Sequence, residues 1–158
     1  MHHVAIMNAK WKLIPRILLG DKTIESRWYV SKFAPWDKIK AGDVVFFKDS
    51  GKPVTAKATV AKVLQFSKLT PKSIKIILNE YGGTGKISVG NIQTMQDFVH
   101  GKNYCILGFL ESPQKVTPFD IDKTGFGNAC AWLCTKSIES IKRPARFPTK
   151  SKKEFALN

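Results

Sequence analysis

Acidic residues are the scarce class in this chain: 12 Asp and Glu stand against 26 Lys and Arg, leaving a formal charge of +14 over 158 residues. The surplus is spread along the chain as well as concentrated at its end. It argues for a polyanionic partner, with nucleic acid ahead of a membrane surface. Cysteine is sparse too. Cys105, Cys130 and Cys134 are an odd number in a chain large enough to need no disulfide staples, so reduced thiols in a cytoplasm are expected. No nearby pair completes a tetrahedral zinc set around Cys130 and Cys134, and His2, His3 and His100 are too scattered to supply one. His2 and His3 read as terminal ornament, and no metal or other cofactor is expected. No apolar run approaches the roughly 20 residues of a membrane span, and the start lacks the apolar stretch of a signal peptide. The sequence therefore reads as soluble and not exported.

What is present suffices for one core. With 43% hydrophobic residues the chain is expected to form one domain over residues 1–142 and to stay monomeric. Residues 143–158, where Arg143, Arg146, Lys150, Lys152 and Lys153 stand with Pro144 and Pro148, read as a poorly ordered basic tail.

Along the chain, Val4-Ala5-Ile6-Met7 reads as a buried strand. Leu13, Ile14, Ile17 and Leu18 recur at helical spacing, with Pro15 tolerable only in the first turn. Residues 31–40 read as a loop. Val44 to Lys48 and Val54 to Phe66 form the arms of a long hairpin around Asp49-Ser50-Gly51-Lys52-Pro53. Thr70 and Pro71 open a helix that runs to Tyr81, and Asn91 can cap another that ends at Gly101. The run Gly82-Gly83-Thr84-Gly85-Lys86 lacks the spacing of a phosphate loop and reads as a connection. Tyr104 to Leu110 is a central strand that Pro113 should break, and Lys115 to Phe119 an edge. Gly125-Phe126-Gly127 reads as a loop presenting Phe126, followed by a strand from Ala129 to Cys134. The whole predicts an α+β protein: a small β-barrel of about five or six strands with short helices at its rim.

The most informative stretch is Gly20-Asp21-Lys22-Thr23-Ile24-Glu25-Ser26-Arg27-Trp28-Tyr29. Gly20 follows the apolar helix, where a residue able to take positive φ would end it. If the next residues are extended, period-2 geometry puts Glu25 and Arg27 on one face with Lys22 on the turn beside them. Three charges and two aromatics then converge at one corner. In a binding reading Lys22 and Arg27 meet phosphate or a base edge, Glu25 orients one of them, and Trp28, Tyr29, Phe33, Trp36 and Phe126 are candidates for stacking. One or two of those five rings are expected to face the cleft. The structural alternative is an internal ion pair, Glu25 with Lys22 or Arg27, that fixes the corner.

The pattern G-x-K-x-x-E-x-R, at Gly20, Lys22, Glu25 and Arg27, followed by Lys40-Ala41-Gly42-Asp43-Val44-Val45-Phe46, resembles the ASCH domain, a branch of the PUA-like β-barrel superfamily. The match is specific over residues 4–66; later, Phe119, Gly125, Phe126 and Trp132 are consistent with it. The resemblance implies a PUA-like barrel with a basic cleft for RNA or another nucleic acid, with Gly20, Lys22, Glu25 and Arg27 as the residues carried over; Trp28, Trp36 and Phe126 join them as nucleic-acid contacts from the binding reading above. One branch of the family hydrolyses N4-acetylcytidine and has a Thr three positions after the motif's Lys. Here that position is Glu25, which argues against the amidohydrolase. Other members cleave RNA. If the chain is a hydrolase of RNA or of a modified nucleoside, the catalytic candidates are Lys22, Thr23 and Glu25, with Ser26 as the alternative nucleophile and Glu80 as a further partner. A third reading docks the basic surface on a protein of a ribonucleoprotein complex.

Overall fold

The computed structural model describes residues 1–82, 87, 92–127 and 129–146. Within them the strands are β1 (His2–Met7), β2 (Ile24–Tyr29), β3 (Val44–Asp49), β4 (Val54–Phe66), β5 (Tyr104–Ile121), β6 (Trp132–Thr135) and β7 (Lys142–Pro144). The helices are α1 (Leu13–Leu19), α2 (Pro71–Tyr81) and α3 (Ile92–Val99). The strands form one sheet in the order β2-β5-β4-β3-β1-β6, with β7 paired off this path to β5. The sheet curls into a half-barrel with an α+β layout, as expected, and gains one short strand, β7.

Alternation along the strands divides the apolar residues between two sides of the curled sheet. The interior holds Ala5, Met7, Val45, Phe47, Ala56, Ala58, Val60 and Trp132, closed at one end by Leu13, Ile14 and Ile17 of α1. Outside, Ile24, Trp28, Cys105 and Leu107 pack against Ile74, Ile77 and Leu78 of α2. A third cluster joins Val4, Phe46, Val54, Phe119 and Leu133 under Ile138 and Ile141. Thr70 caps α2 reciprocally with Ser73, as the Thr-Pro start predicts.

Two features differ from the sequence reading. Pro113 does not end β5. Thr59 faces Glu111 and Lys57 faces Gln114, so Ser112 and Pro113 together oppose Ala58 in a bulge, with Ser112 at φ 50°. A proline needs no ladder hydrogen bond there, and the strand bends and continues. The basic stretch from residue 143 also begins inside the sheet: Arg143 and Pro144 pair with Asp120 and Phe119, and the Arg146 N–H donates to Asp120 Oδ2 at 2.8 Å. Residues 147–158, Asn91 and the run from Gly83 to Lys86 lie outside the described residues.

The histidines read as ornament are anchors. His2 Nδ1 accepts from the Ile138 N–H at 2.9 Å. His3 is fully buried. Its Nε2 meets Asp43 Oδ2 at 2.8 Å and its Nδ1 accepts from the Trp132 indole N–H at 3.0 Å. That acceptor role fixes the neutral tautomer with hydrogen on Nε2. The Asp43 carboxylate also takes the N-terminal ammonium and the Lys40 N–H, each at 3.0 Å. The relay from Trp132 through His3 to Asp43 thus ties β6 and β1 to the start of β3.

Burial, ahead of the opposing pull of Asp43, lowers the His3 pKa below 6.5. The unfolded chain therefore binds a proton near 6.5 that the folded chain refuses, and stability should fall as pH drops through that value. Burial raises the Asp43 pKa, but the hydrogen bonds from His3, the N-terminus and Lys40 outweigh it and hold the group below 3.8, so a second loss follows at lower pH. Urea midpoints measured across this range should show both limbs, and His3→Gln should remove the upper one.

Candidate nucleic-acid interface

Gly20 ends α1 at φ 81°, and the N–H groups of Asp21 and Lys22 turn back to the Arg16 carbonyl at 2.9 and 3.1 Å. This turn aims the Lys22 side chain inward, leaving it 3% exposed. Its ammonium donates to the Ile24 carbonyl at 2.7 Å and to the Ile87 carbonyl, and lies 3.5 Å from Glu25 Oε2. Burial pushes its pKa down, against the attraction of Glu25. Glu25 is 6% exposed, and opposite it on β5 stands Gly108, which brings no side chain to that place.

Glu25, Arg27 and Tyr29 share one face of β2. The other Glu25 oxygen, Oε1, accepts from Arg27 Nε at 3.0 Å. The rest of the guanidinium reaches across to the far edge of the sheet. Nη1 donates to the Ala131 carbonyl and Nη2 to the Ile6 carbonyl, both at 3.3 Å, and the plane sits 5.1 Å from the centre of the Trp132 ring. The motif's charges are therefore a connected triad, Lys22 to Glu25 to Arg27, mostly spent inside the protein. Arg27 retains 14% exposure.

The other expected residues are dispersed. Gly20 and Thr23 are exposed, and the Thr23 carbonyl accepts from the Leu110 N–H at 2.8 Å. Trp28 points away from the triad, 5% exposed in the α2 cluster, with its indole N–H on Ser26 Oγ at 3.0 Å. Trp36 is half-buried over the interior, its ring 5.0 Å from that of Tyr104. Phe126 packs on the third cluster, separate from the one that Trp36 joins. The ring that offers a free face is Phe33, 62% exposed and edge-on to Tyr29 at 5.8 Å. Beside it, Lys32 Nζ lies 5.9 Å from the Trp36 ring and 5.8 Å from the Tyr104 ring. Sequence reasoning overlooked the His3–Asp43 anchor and Lys48, a buried lysine in β3. Only the odd placement of a lysine after Val44-Val45-Phe46-Phe47 signals the latter.

Glu25→Gln keeps the side-chain shape and removes the charge, leaving the Lys22 ammonium buried without a counter-charge. The variant should lose about 3–5 kcal/mol of unfolding free energy. Lys22→Met in the same background should recover part of that loss. Urea unfolding of both single variants and the double gives the coupling energy, and strictly additive losses would show that the triad is not coupled.

No protein-family model and no curated protein matches the chain. Solved structures do. The ASCH protein of Zymomonas mobilis superposes with a TM-score of 0.63 at 14% identity, covering 92% of this chain and 98% of that one. A tyrosine-to-phenylalanine mutant of it gives 0.64 at 15%, covering 88% and 93%. A serine-to-alanine mutant gives 0.64 at 16%, covering 88% and 91%. The curled half-barrel, superposing over nearly the full length of both chains, therefore has the fold of the Zymomonas mobilis ASCH protein.

Proposed function

We propose that the chain is a nucleic-acid-binding module of the ASCH type, with RNA as its ligand, and that it holds the strand beside the corner formed by Gly20, Lys22, Glu25 and Arg27. The observation that carries this reading is the failure of the charge surplus to be neutralised internally. Among the described residues, Lys22, Arg27, Lys142 and Arg143 are the only lysines and arginines within ion-pair distance of a carboxylate. Many of the remaining cations, Lys32 and Lys38 among them, are exposed and offer charge to a polyanion.

The corner then works by division of labour. Lys22 and Glu25 fix the guanidinium of Arg27, whose outer edge is the part of the charged triad that a ligand can reach. Phe33 supplies a stacking face, and Lys32 and Lys38, both exposed on the same loop, supply charge along the strand's path. No helix among the described residues is long and apolar enough to cross a membrane.

Nuclease-treated protein should bind short single-stranded RNA and leave it intact on a gel. With about five phosphate contacts, doubling the salt should weaken binding about tenfold. Phe33→Ala should cost about 1–3 kcal/mol of binding energy, the loss of one stacked base. Shortened RNA would move the chain to the hydrolases. No binding to RNA or to duplex DNA would favour the protein-docking reading.

A further inference from the structure

A concave surface lies away from the charged corner, where the β3–β4 turn, the end of β5 and the residues of β7 meet. It is a cleft of about 1150 Å³, lined among others by Lys48, Lys52, Lys123, Arg143 and Arg146. Asp120 and Asp122 also line it, but both are already engaged. Asp122 accepts from the Thr124 N–H at 2.9 Å and from Arg143 Nη2 at 3.1 Å. Asp120 accepts from the Arg146 N–H. Five cations thus face two carboxylates whose hydrogen-bonding capacity is partly consumed.

Lys48 is the informative member. It stands at the end of an apolar strand, past a bulge between Phe47 and Lys48, on the sheet face that carries Phe46. The side chain is 8% exposed and lines the cleft, while its ammonium opens onto the cleft with no hydrogen bond or ion pair among the described residues. Burial, and then repulsion by Lys123, lower its pKa, against the attraction of Asp120 and Asp49. A protein gains no stability from such a group, because desolvating a charge without a partner costs free energy.

The geometry points to a phosphate-binding site in this cleft, with Lys48 as its buried anchor and Lys52, Lys123 and Arg146 at its mouth. The volume admits a segment of sugar–phosphate chain as well as a single phosphate. A phosphate oxygen against Lys48 would supply the missing counter-charge in a partly desolvated place, where a charge-assisted hydrogen bond is strongest. The assignment rests on the polyanion reading above where the phosphate belongs to RNA, and stands without it where the phosphate is free.

The test is an amide NMR titration of the full chain with inorganic phosphate and, separately, with short single-stranded RNA. Wild type is compared with Lys48→Met and with Lys75→Ala, which removes an exposed charge from α2. Both ligands should shift Gly51, Lys52 and Lys123 to Gly125. Lys48→Met should weaken RNA binding about tenfold, as expected for one charged hydrogen bond, while unfolding at a higher temperature than wild type; Lys75→Ala should bind as wild type does. If Lys48→Met does not fold, the double variant Lys52→Ala, Arg146→Ala on the cleft's exposed rim carries the same expectation for binding. Shifts with phosphate and none with RNA would uphold the cleft as a site for free phosphate and overturn the RNA reading. RNA binding confined to the surroundings of Phe33 and Arg27, unchanged in Lys48→Met and with no shift of the cleft by phosphate, would overturn the cleft and leave the RNA reading standing. No shift of the cleft by either ligand also overturns it.

Discussion

One guanidinium closes the half-barrel. The sheet path begins at β2 and ends at β6, and among the described residues backbone pairing does not join those edges. Arg27 spans the opening from β2, with one arm on the Ala131 carbonyl at the start of β6 and the other on the Ile6 carbonyl in β1. Arginine suits this role because its donors are fixed in a plane and stay charged. The rest of the corner follows from that bond: Glu25 holds Nε, Lys22 balances Glu25, and Gly20 turns the chain so that Lys22 can reach inward.

This arrangement places a polar assembly in a barrel otherwise lined by Phe47, Val45, Ala58 and Trp132. A buried triad is a weak source of stability and a strong source of geometry, since each member is costly without the others. It therefore specifies which strand edges approach one another. Lys48 is the opposite case, a largely buried lysine that Asp120 and Asp49 attract without forming an ion pair or hydrogen bond with it among the described residues.

Much of the fold is legible wherever the signal is local. The Gly20 cap, the shared face of Glu25 and Arg27, the hairpin from Val44 to Phe66 and the Thr70 cap each depend on residues a few positions apart. The features that escape the sequence depend on distant partners. Whether Lys22 faces solvent or protein is decided by the Ile87 carbonyl, 65 positions away. The value of His3 is decided by Asp43 and Trp132. Pro113 reads as a strand breaker because a bulge is visible only in the register between two strands. The triad residues are apparent from the sequence, yet the sequence alone leaves their role open, because a converging set of charges looks the same whether it faces inward or outward.

The pairing of β1 also sets the order in which the chain can be completed during synthesis. β1 lies between β3, which it pairs in parallel, and β6. Its outer edge can therefore not be covered until Trp132 to Thr135 have emerged, and the bond from Arg27 to Ala131 spans 104 positions. Contacts of such separation form late. A nascent chain that stops short of Ala131 carries an uncovered strand edge and an open corner, and such edges recruit other chains. The last finished part of the barrel is thus the same corner that its first helix began.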